Sequence, residues 1–280
     1  MKLSTAIKNA CEELKKYQIK NPLLDSEILI SKAIKRDREF IALNFNEEIN
    51  EKDYIYFKKL ISDRSKGKPV AYIIGKKAFW NYEFKINENV LIPRPDTEII
   101  IEQVLKIFKN KNKLNFLEIG VGSGCILLSI LKEKKSFLGT GIDISKECLK
   151  ICEINAHKLD IKNRIRLIKS DIDNFNYGKY DLIISNPPYI KKQYLRYLDK
   201  EVVKFEPKLA LDGGLEGTSE IRKVIDRSSE LIKKQGKLIL EIAFDQKKEV
   251  KQLLKDKGFY INCIIKDFAK NDRCIISTKI

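Results

Sequence analysis

From about residue 115 onward, short β-branched or apolar runs alternate with amphipathic stretches of helical spacing, and this alternation constrains the fold more than any other feature. Residues 116–119, 137–142, 164–169, 180–185, 236–243, 260–266 and 273–279 read as strands. Residues 125–131, about 145–159, 218–234 and 245–257 read as helices between them. A helix between two strands returns the chain to the same end of the sheet, so the strands run parallel and both sheet faces are covered. The expected architecture is α/β with a seven-stranded, mostly parallel sheet. The last two segments are joined by a short polar turn at Asn271-Asp272, which predicts an antiparallel hairpin at the sheet edge.

The first 75 residues are different. Leu14, Leu23, Leu24, Ile28, Leu29, Ile30 and Ala33 recur at helix-like intervals among Lys and Glu. Asn21-Pro22 breaks the run, with Asp25 expected to cap the helix that follows, and a second helical run covers about 51–66. Between 70 and 93 the character changes again: Val70–Gly75, Ala78–Phe84 and Val90–Ile92 look like short strands separated by turns. Pro93-Arg94-Pro95-Asp96-Thr97-Glu98 then opens a helix to about 109, with Asp96 or Thr97 expected to supply a capping oxygen. The expected division is a small helical N-terminal domain over 1–75, a β-hairpin linker over 76–95, and an α/β domain over 96–280.

Composition narrows the chemistry. No stretch approaches the ~20 apolar residues that span a bilayer, and the N-terminus reads as an amphipathic helix without an apolar signal core. The expectation is a cytoplasmic protein. Six cysteines form no CxxC pair, and although Cys148 and Cys152 fall on one helix face, they read as small apolar side chains. The single histidine, His157, lacks companions for a triad or a metal site. With 55 basic against 39 acidic residues, the formal charge is +16. That excess fits contact with nucleic acid or a ribosome, and it fits equally the Lys, Ile and Asn enrichment that AT-rich coding produces.

Glu118-Ile119-Gly120-Val121-Gly122-Ser123-Gly124 falls where the first α/β strand meets its helix. Glycines there allow a tight turn and let a ligand approach bare backbone and helix N–H groups. Asp143 ends the next strand, where a carboxylate would accept bonds from ribose hydroxyls or cap the following helix. Ser170-Asp171-Ile172 follows the third strand, at the expected adenine position. The fourth strand runs into Asn186-Pro187-Pro188-Tyr189. Two prolines remove two N–H donors and leave acceptors. Asn186 Oδ1 and the Pro187 carbonyl are suited to take both N–H protons of a planar amide or amine, with Tyr189 against its plane. The gain is orientation and stabilisation of charge developing on nitrogen, and no histidine is needed.

These motifs, Glu118–Gly124, Asp143 and Asn186–Tyr189, resemble the class I amino-methyltransferases, which act on DNA adenine, ribosomal RNA guanine or protein glutamine. Leu91–Glu98, Phe205–Leu211, Gly213–Gly217, Asp267 with Asp272-Arg273, and the helical N-terminus narrow the likeness. Together they are similar, over essentially the full length, to the peptide chain release factor glutamine methyltransferases. The resemblance implies a Rossmann-like methyltransferase domain, a substrate-recognising N-terminal domain, and S-adenosylmethionine leaving as S-adenosylhomocysteine. It implies release factors as partners, methylated on the glutamine of their Gly-Gly-Gln motif. Glu118, Gly120, Val121, Gly122, Ser123, Gly124, Asp143, Asp171, Ile172 and Asn186 are then expected at the cofactor, and Asn186, Pro187, Pro188 and Tyr189 at the substrate. Ile172 stands where the family often has an aromatic residue, so aliphatic packing replaces stacking on adenine. Arg94 is expected either to position the cofactor or the catalytic loop, or to pair with Glu98. A nucleic-acid methyltransferase acting on an adenine or guanine exocyclic amine is the alternative, and a non-catalytic cofactor sensor is a third reading that an intact Asn186 disfavours.

Overall fold

The computed structural model describes all 280 residues and separates into two compact units, one of Met1–Lys76 with Asp199–Phe205, the other of Lys77–Leu198 with Glu206–Ile280. In the first unit, α1 (Leu3–Lys16), α2 (Pro22–Ile34), α3 (Arg38–Leu43), α4 (Glu51–Ser65) and α5 (Val70–Ile74) bury Leu14, Leu29, Ile30, Phe57 and Ile61 in one core. Pro22 opens α2 at its first turn, where a missing N–H costs nothing. Asp25 does not cap that helix. It is buried one turn in, where Arg64 Nε donates to its Oδ2 at 2.7 Å, and Arg64 Nη1 also donates to Glu201 Oε2 at 2.8 Å. A buried carboxylate needs a cation more than a helix end needs a cap.

Two further expectations change. Val70–Ile74 is a turn of helix rather than a strand, because Pro69 sets its start, Gly75 ends it at φ +78°, and Tyr72 and Ile73 are buried by it. β-Propensity yields to burial over five residues. Val90–Ile92 forms no strand either; the Ile92 N–H donates to the Glu206 carboxylate at 3.3 Å instead of to a ladder.

The second unit begins with a hairpin, β1 (Lys76–Phe79) and β2 (Tyr82–Lys85). Phe79 and Phe84 meet edge to face inside this unit's core, so the hairpin belongs to its packing. After α6 (Glu98–Ile107) come β3 (Leu114–Ile119), α7 (Cys125–Glu133), β4 (Phe137–Asp143), α8 (Lys146–Lys158), β5 (Ile165–Lys169) and β6 (Tyr180–Ser185). After α9 (Lys200–Phe205), which belongs to the first unit, the second unit continues through α10 (Ser219–Leu231), β7 (Ile232–Glu241), α11 (Lys247–Asp256), β8 (Phe259–Lys266) and β9 (Asp272–Lys279).

The seven strands lie in the order β5-β4-β3-β6-β7-β9-β8. β5, β4, β3, β6 and β7 are parallel, while β9 is antiparallel to both β7 and β8, as the polar turn before it predicts. Successive residues face opposite sides: Leu182 and Ile184 enter one core and Ile183 the other. Burial on both faces is why these strands read as continuous apolar runs. From β3 the chain moves first to β4 on one side and later to β6 on the other. The carboxyl ends of β3, β4 and β6 therefore border the point where strand order reverses, which in open α/β sheets is where ligands bind. No helix is long and apolar enough to cross a membrane.

Candidate active site

A cleft of about 450 Å³ lies along those strand ends, lined by Gly120, Gly122, Asp143, Asp171, Ile172 and Asn186 among others. The loop after β3 is tied to its neighbours through backbone. The N–H groups of Gly120 and Val121 both donate to the Ile142 carbonyl, at 2.9 and 3.0 Å, and Ser185 Oγ donates to the Ile119 carbonyl at 2.8 Å. Gly120 and Gly122 sit at φ +75° and +52°, and a Cβ on either would meet open space. Gly124 differs, since its Cβ would strike Cys152 Sγ at 2.5 Å; this glycine serves the packing of α7 on α8.

Asp143 Oδ2 accepts from the Gly122 N–H and Oδ1 from the Ser145 N–H, both at 2.9 Å. Burial pushes this carboxyl up, and the two backbone donors pull it back. The cap of α8 is Ser145, whose Oγ accepts from the Cys148 N–H. Asp171 Oδ1 accepts from the Asp173 N–H at 3.0 Å, and Ile172 is buried against the cleft.

Four other expected cofactor residues sit outside the cleft lining. Glu118 is fully buried and accepts from the Leu127 N–H at 2.8 Å inside the first turns of α7; burial holds its carboxyl far above the ordinary range. Val121 is in the apolar core. Ser123 is buried, its carbonyl accepting from Asn155 Nδ2, and Gly124 packs as described.

At the end of β6, Asn186 is half-buried and its Nδ2 donates to Thr97 Oγ1 at 3.2 Å. Thr97 thus caps no helix; its hydroxyl is used here. Pro187 and Pro188 line the cleft, but Tyr189 does not. Its hydroxyl donates to Glu241 Oε1 at 3.1 Å, and burial raises the phenol above its usual range. Behind the turn, Gln246 Nε2 donates to the carbonyls of Tyr189 and Gly217, at 3.0 and 2.9 Å. Gly213 packs directly on Pro188 and Tyr189, with room for no side chain. Arg94 pairs with Glu206, not Glu98, whose carboxylate accepts from the Trp80 N–H.

Residues 5–75 match the PrmC N-terminal domain family, and residues 97–259 match the methyltransferase small domain family. A release factor glutamine methyltransferase of Fusobacterium nucleatum is 38% identical over 275 residues, covering 96% of this chain and 76% of that protein. One of Caulobacter vibrioides is 34% identical over 271 residues, covering 96% and 94%. The chain belongs to the release factor glutamine methyltransferase family. Among solved structures, a ribosomal protein L11 methylase of Lactobacillus delbrueckii superposes with a TM-score of 0.51 at 18% identity, covering 68% of this chain and 82% of that one. It shares the class I, Rossmann-like fold.

S-adenosylmethionine is the cofactor of this methyltransferase family member, and the cleft fits it. Two glycines without a neighbour at Cβ leave a cradle, Asp143 supplies carboxylate oxygens at its rim, and Ile119, Ile142, Ile172 and Val224 give an apolar wall. The bound cofactor supplies an electrophilic methyl group on a sulfonium. Gly120, Gly122, Asp143, Asp171 and Ile172 line the cleft and would be the residues to hold it. No group of three or more His, Cys, Asp or Glu side chains is arranged to hold a metal, and His157 is exposed.

Thr97, Glu241 and Gln246 carry parts of the site that motif reading did not assign. The usable signal for Glu241 was a carboxylate ending the apolar run Leu238-Ile239-Leu240. Gly213–Gly217 was visible as a motif, but its role as backing for the proline turn needed coordinates.

Proposed function

We propose that this protein transfers a methyl group from S-adenosylmethionine to the side-chain amide nitrogen of the glutamine in the Gly-Gly-Gln motif of peptide chain release factors. The observation that carries this reading is the commitment of Asn186 Nδ2 to Thr97, which leaves Asn186 Oδ1 as an acceptor at the cleft. The Pro187 carbonyl next to it is taken by no backbone donor. Two neighbouring acceptors match the two N–H groups of a primary amide. Holding both protons fixes the amide plane and stabilises positive charge as it develops on nitrogen. The proton displaced by methylation leaves afterwards to solvent, so no strong base is required.

Asn186 to Tyr189 are the substrate residues in this proposal, with Tyr189 shaping the turn through Glu241. The helical unit at 1–75 recognises the protein substrate, the hairpin over 76–95 follows it, and 96–280 carries the chemistry. A cytoplasmic site of action follows from the substrate, and the +16 charge supplies weak attraction to ribosomal surroundings.

The test is a panel of acceptors with methyl-labelled cofactor: a release factor, its loop Gln→Ala variant, DNA and ribosomal RNA. Label on the unmodified factor alone supports the proposal. Label on nucleic acid would replace it with an exocyclic-amine methyltransferase.

A further inference from the structure

Gln246 is buried, and both ends of its carboxamide are engaged with backbone. Its Oε1 accepts from the Ala243 N–H at 3.0 Å, while its Nε2 donates to the Tyr189 carbonyl at 3.0 Å and to the Gly217 carbonyl at 2.9 Å. Turned the other way, the amide would aim oxygen at two carbonyls and nitrogen at an N–H, so the surroundings select one orientation. Neither of those carbonyls is taken by a backbone donor. Three segments remote in sequence therefore meet on one side chain: the proline turn, the glycine-rich loop and the turn after β7. Glycine at 217 permits the meeting, since a Cβ there would lie 2.7 Å from the Tyr189 carbonyl oxygen and 2.9 Å from Gln246 Nε2.

The effect of this clamp extends to the Pro187 carbonyl. The proline turn starts from Ser185, which is paired within β6 to both β3 and β7. It leaves through a short ladder: the Ile190 N–H donates to the Leu211 carbonyl at 3.1 Å, the Gly213 N–H to the Ile190 carbonyl at 2.9 Å, and the Lys192 N–H to the Gly214 carbonyl at 2.9 Å. Tyr189 is the last residue before that ladder. Proline rings fix φ at 187 and 188, so few torsions remain between β6 and the Tyr189 peptide. Where that peptide is held then decides where the Pro187 carbonyl points. Without Gln246 Nε2, the Tyr189 and Gly217 carbonyls lose their donor, and backbone rotates to recover one.

We propose that Gln246 is a positioning residue for methyl transfer, clamping the exit of the proline turn to the glycine-rich loop so that the Pro187 carbonyl stays aimed into the cleft. Gln246 is not part of the cleft lining and acts through Tyr189. That the Pro187 carbonyl receives a glutamine amide rests on the function proposed above; the clamp itself is a property of the protein alone.

The experiment has two arms, using the full-length protein and two variants. Gln246→Met fills the space and makes none of the three bonds. Gln246→Glu keeps an oxygen for the Ala243 N–H but sets a second oxygen against the two carbonyls. The first arm follows hydrogen exchange by mass spectrometry. Peptides covering 190–192 and 211–214 should exchange about 10-fold faster in both variants, while those of β3 and β6 keep wild-type protection and report a folded protein. Unchanged exchange at 190–192 and 211–214 in folded Gln246→Met overturns the clamp, whatever the enzyme's substrate. Should β3 and β6 lose protection in Gln246→Met, Gln246→Glu carries both arms by the same criteria.

The second arm measures methyl transfer to a release factor. Both variants should lower kcat about 10-fold or more while cofactor affinity stays within about 3-fold of wild type. A role confined to the turn at Ala243 predicts near-wild-type kcat in Gln246→Glu, and that result would also overturn the clamp. A wild type that methylates no release factor removes the proposed function, and the exchange arm still decides the clamp.

Discussion

Gly213→Ala tests whether the placement of the proline turn depends on the glycine-rich loop behind it. The φ of Gly213 lies outside the left-handed region, so its conformation would suit any residue; only proximity demands glycine. A Cβ there would lie 2.6 Å from the Gly217 carbonyl, 2.8 Å from Tyr189 Cα and 2.9 Å from the Pro188 carbonyl. Ordinary contacts start at 3.4 Å, so backbone must yield by about 0.8 Å, and all three obstacles are backbone atoms. Relief moves either the loop or the turn that carries Asn186. Overpacking of this kind destabilises by roughly 1–3 kcal/mol. A displacement approaching 1 Å at a positioning group costs up to about 100-fold in rate. The expected result is a 10- to 100-fold loss of kcat in the labelled-methyl assay, a melting temperature lowered by a few degrees, and cofactor affinity within about 3-fold of wild type. Cofactor affinity is spared because Gly120, Gly122 and Asp143 are held by β3 and β4 rather than by this loop. Wild-type kcat in a folded Gly213→Ala protein would refute the reasoning.

Other substitutions probe separate parts of the account. Asp143→Asn should weaken cofactor affinity about 10-fold or more by isothermal titration, since it alters the loop anchor and the rim carboxylate together; unchanged affinity would remove Asp143 from the cofactor site. Arg64→Met should destabilise the protein by roughly 3–5 kcal/mol in thermal or denaturant unfolding, because it strands Asp25 as a buried charge; Asp25→Leu combined with it should recover much of the loss. For Glu118, burial places the folded-state carboxyl well above its unfolded value near 4.5. The folded protein holds that proton more tightly, so wild-type stability falls as pH rises above the unfolded value until the folded one is passed, at about 1.4 kcal/mol per unit. Glu118→Gln has no proton to lose, and its melting temperature relative to wild type should rise between pH 5 and pH 8; a constant difference would contradict this. Ser129 Oγ is buried without a partner, so Ser129→Ala should be neutral or stabilising by about 1 kcal/mol in the same unfolding assay.

The sheet was legible because burial on both faces writes itself into the chain as apolar runs such as Leu182-Ile183-Ile184, and helices of regular period separate them. Short elements were less legible. Val70–Ile74 has strand-forming residues but is flanked by Pro69 and Gly75, and burial of Tyr72 and Ile73 decides it as helix. Asp25 looks like a helix-start residue until Arg64, distant in sequence, arrives beside it. The site divides in the same way. Asn186–Pro188, Asp143 and the glycine loop announce themselves because backbone chemistry requires those residue types locally. The spacing of Gly120, Gly122 and Gly124 cannot distinguish two that face open space from one pressed against Cys152. Thr97 and Glu241 are ordinary residues in the linear chain, and only the fold brings them to Asn186 and Tyr189.

The central claim is that Asn186 and Pro187 orient a glutamine amide for methylation. The most direct measurement is tandem mass spectrometry of a release factor incubated with the enzyme and S-adenosylmethionine. The account predicts one added methyl group, located on the side-chain amide of the Gly-Gly-Gln glutamine, with the yield per unit time falling about 100-fold or more when Asn186→Ala replaces the wild type. A methyl group on any other residue, or undiminished methylation by Asn186→Ala, would contradict it.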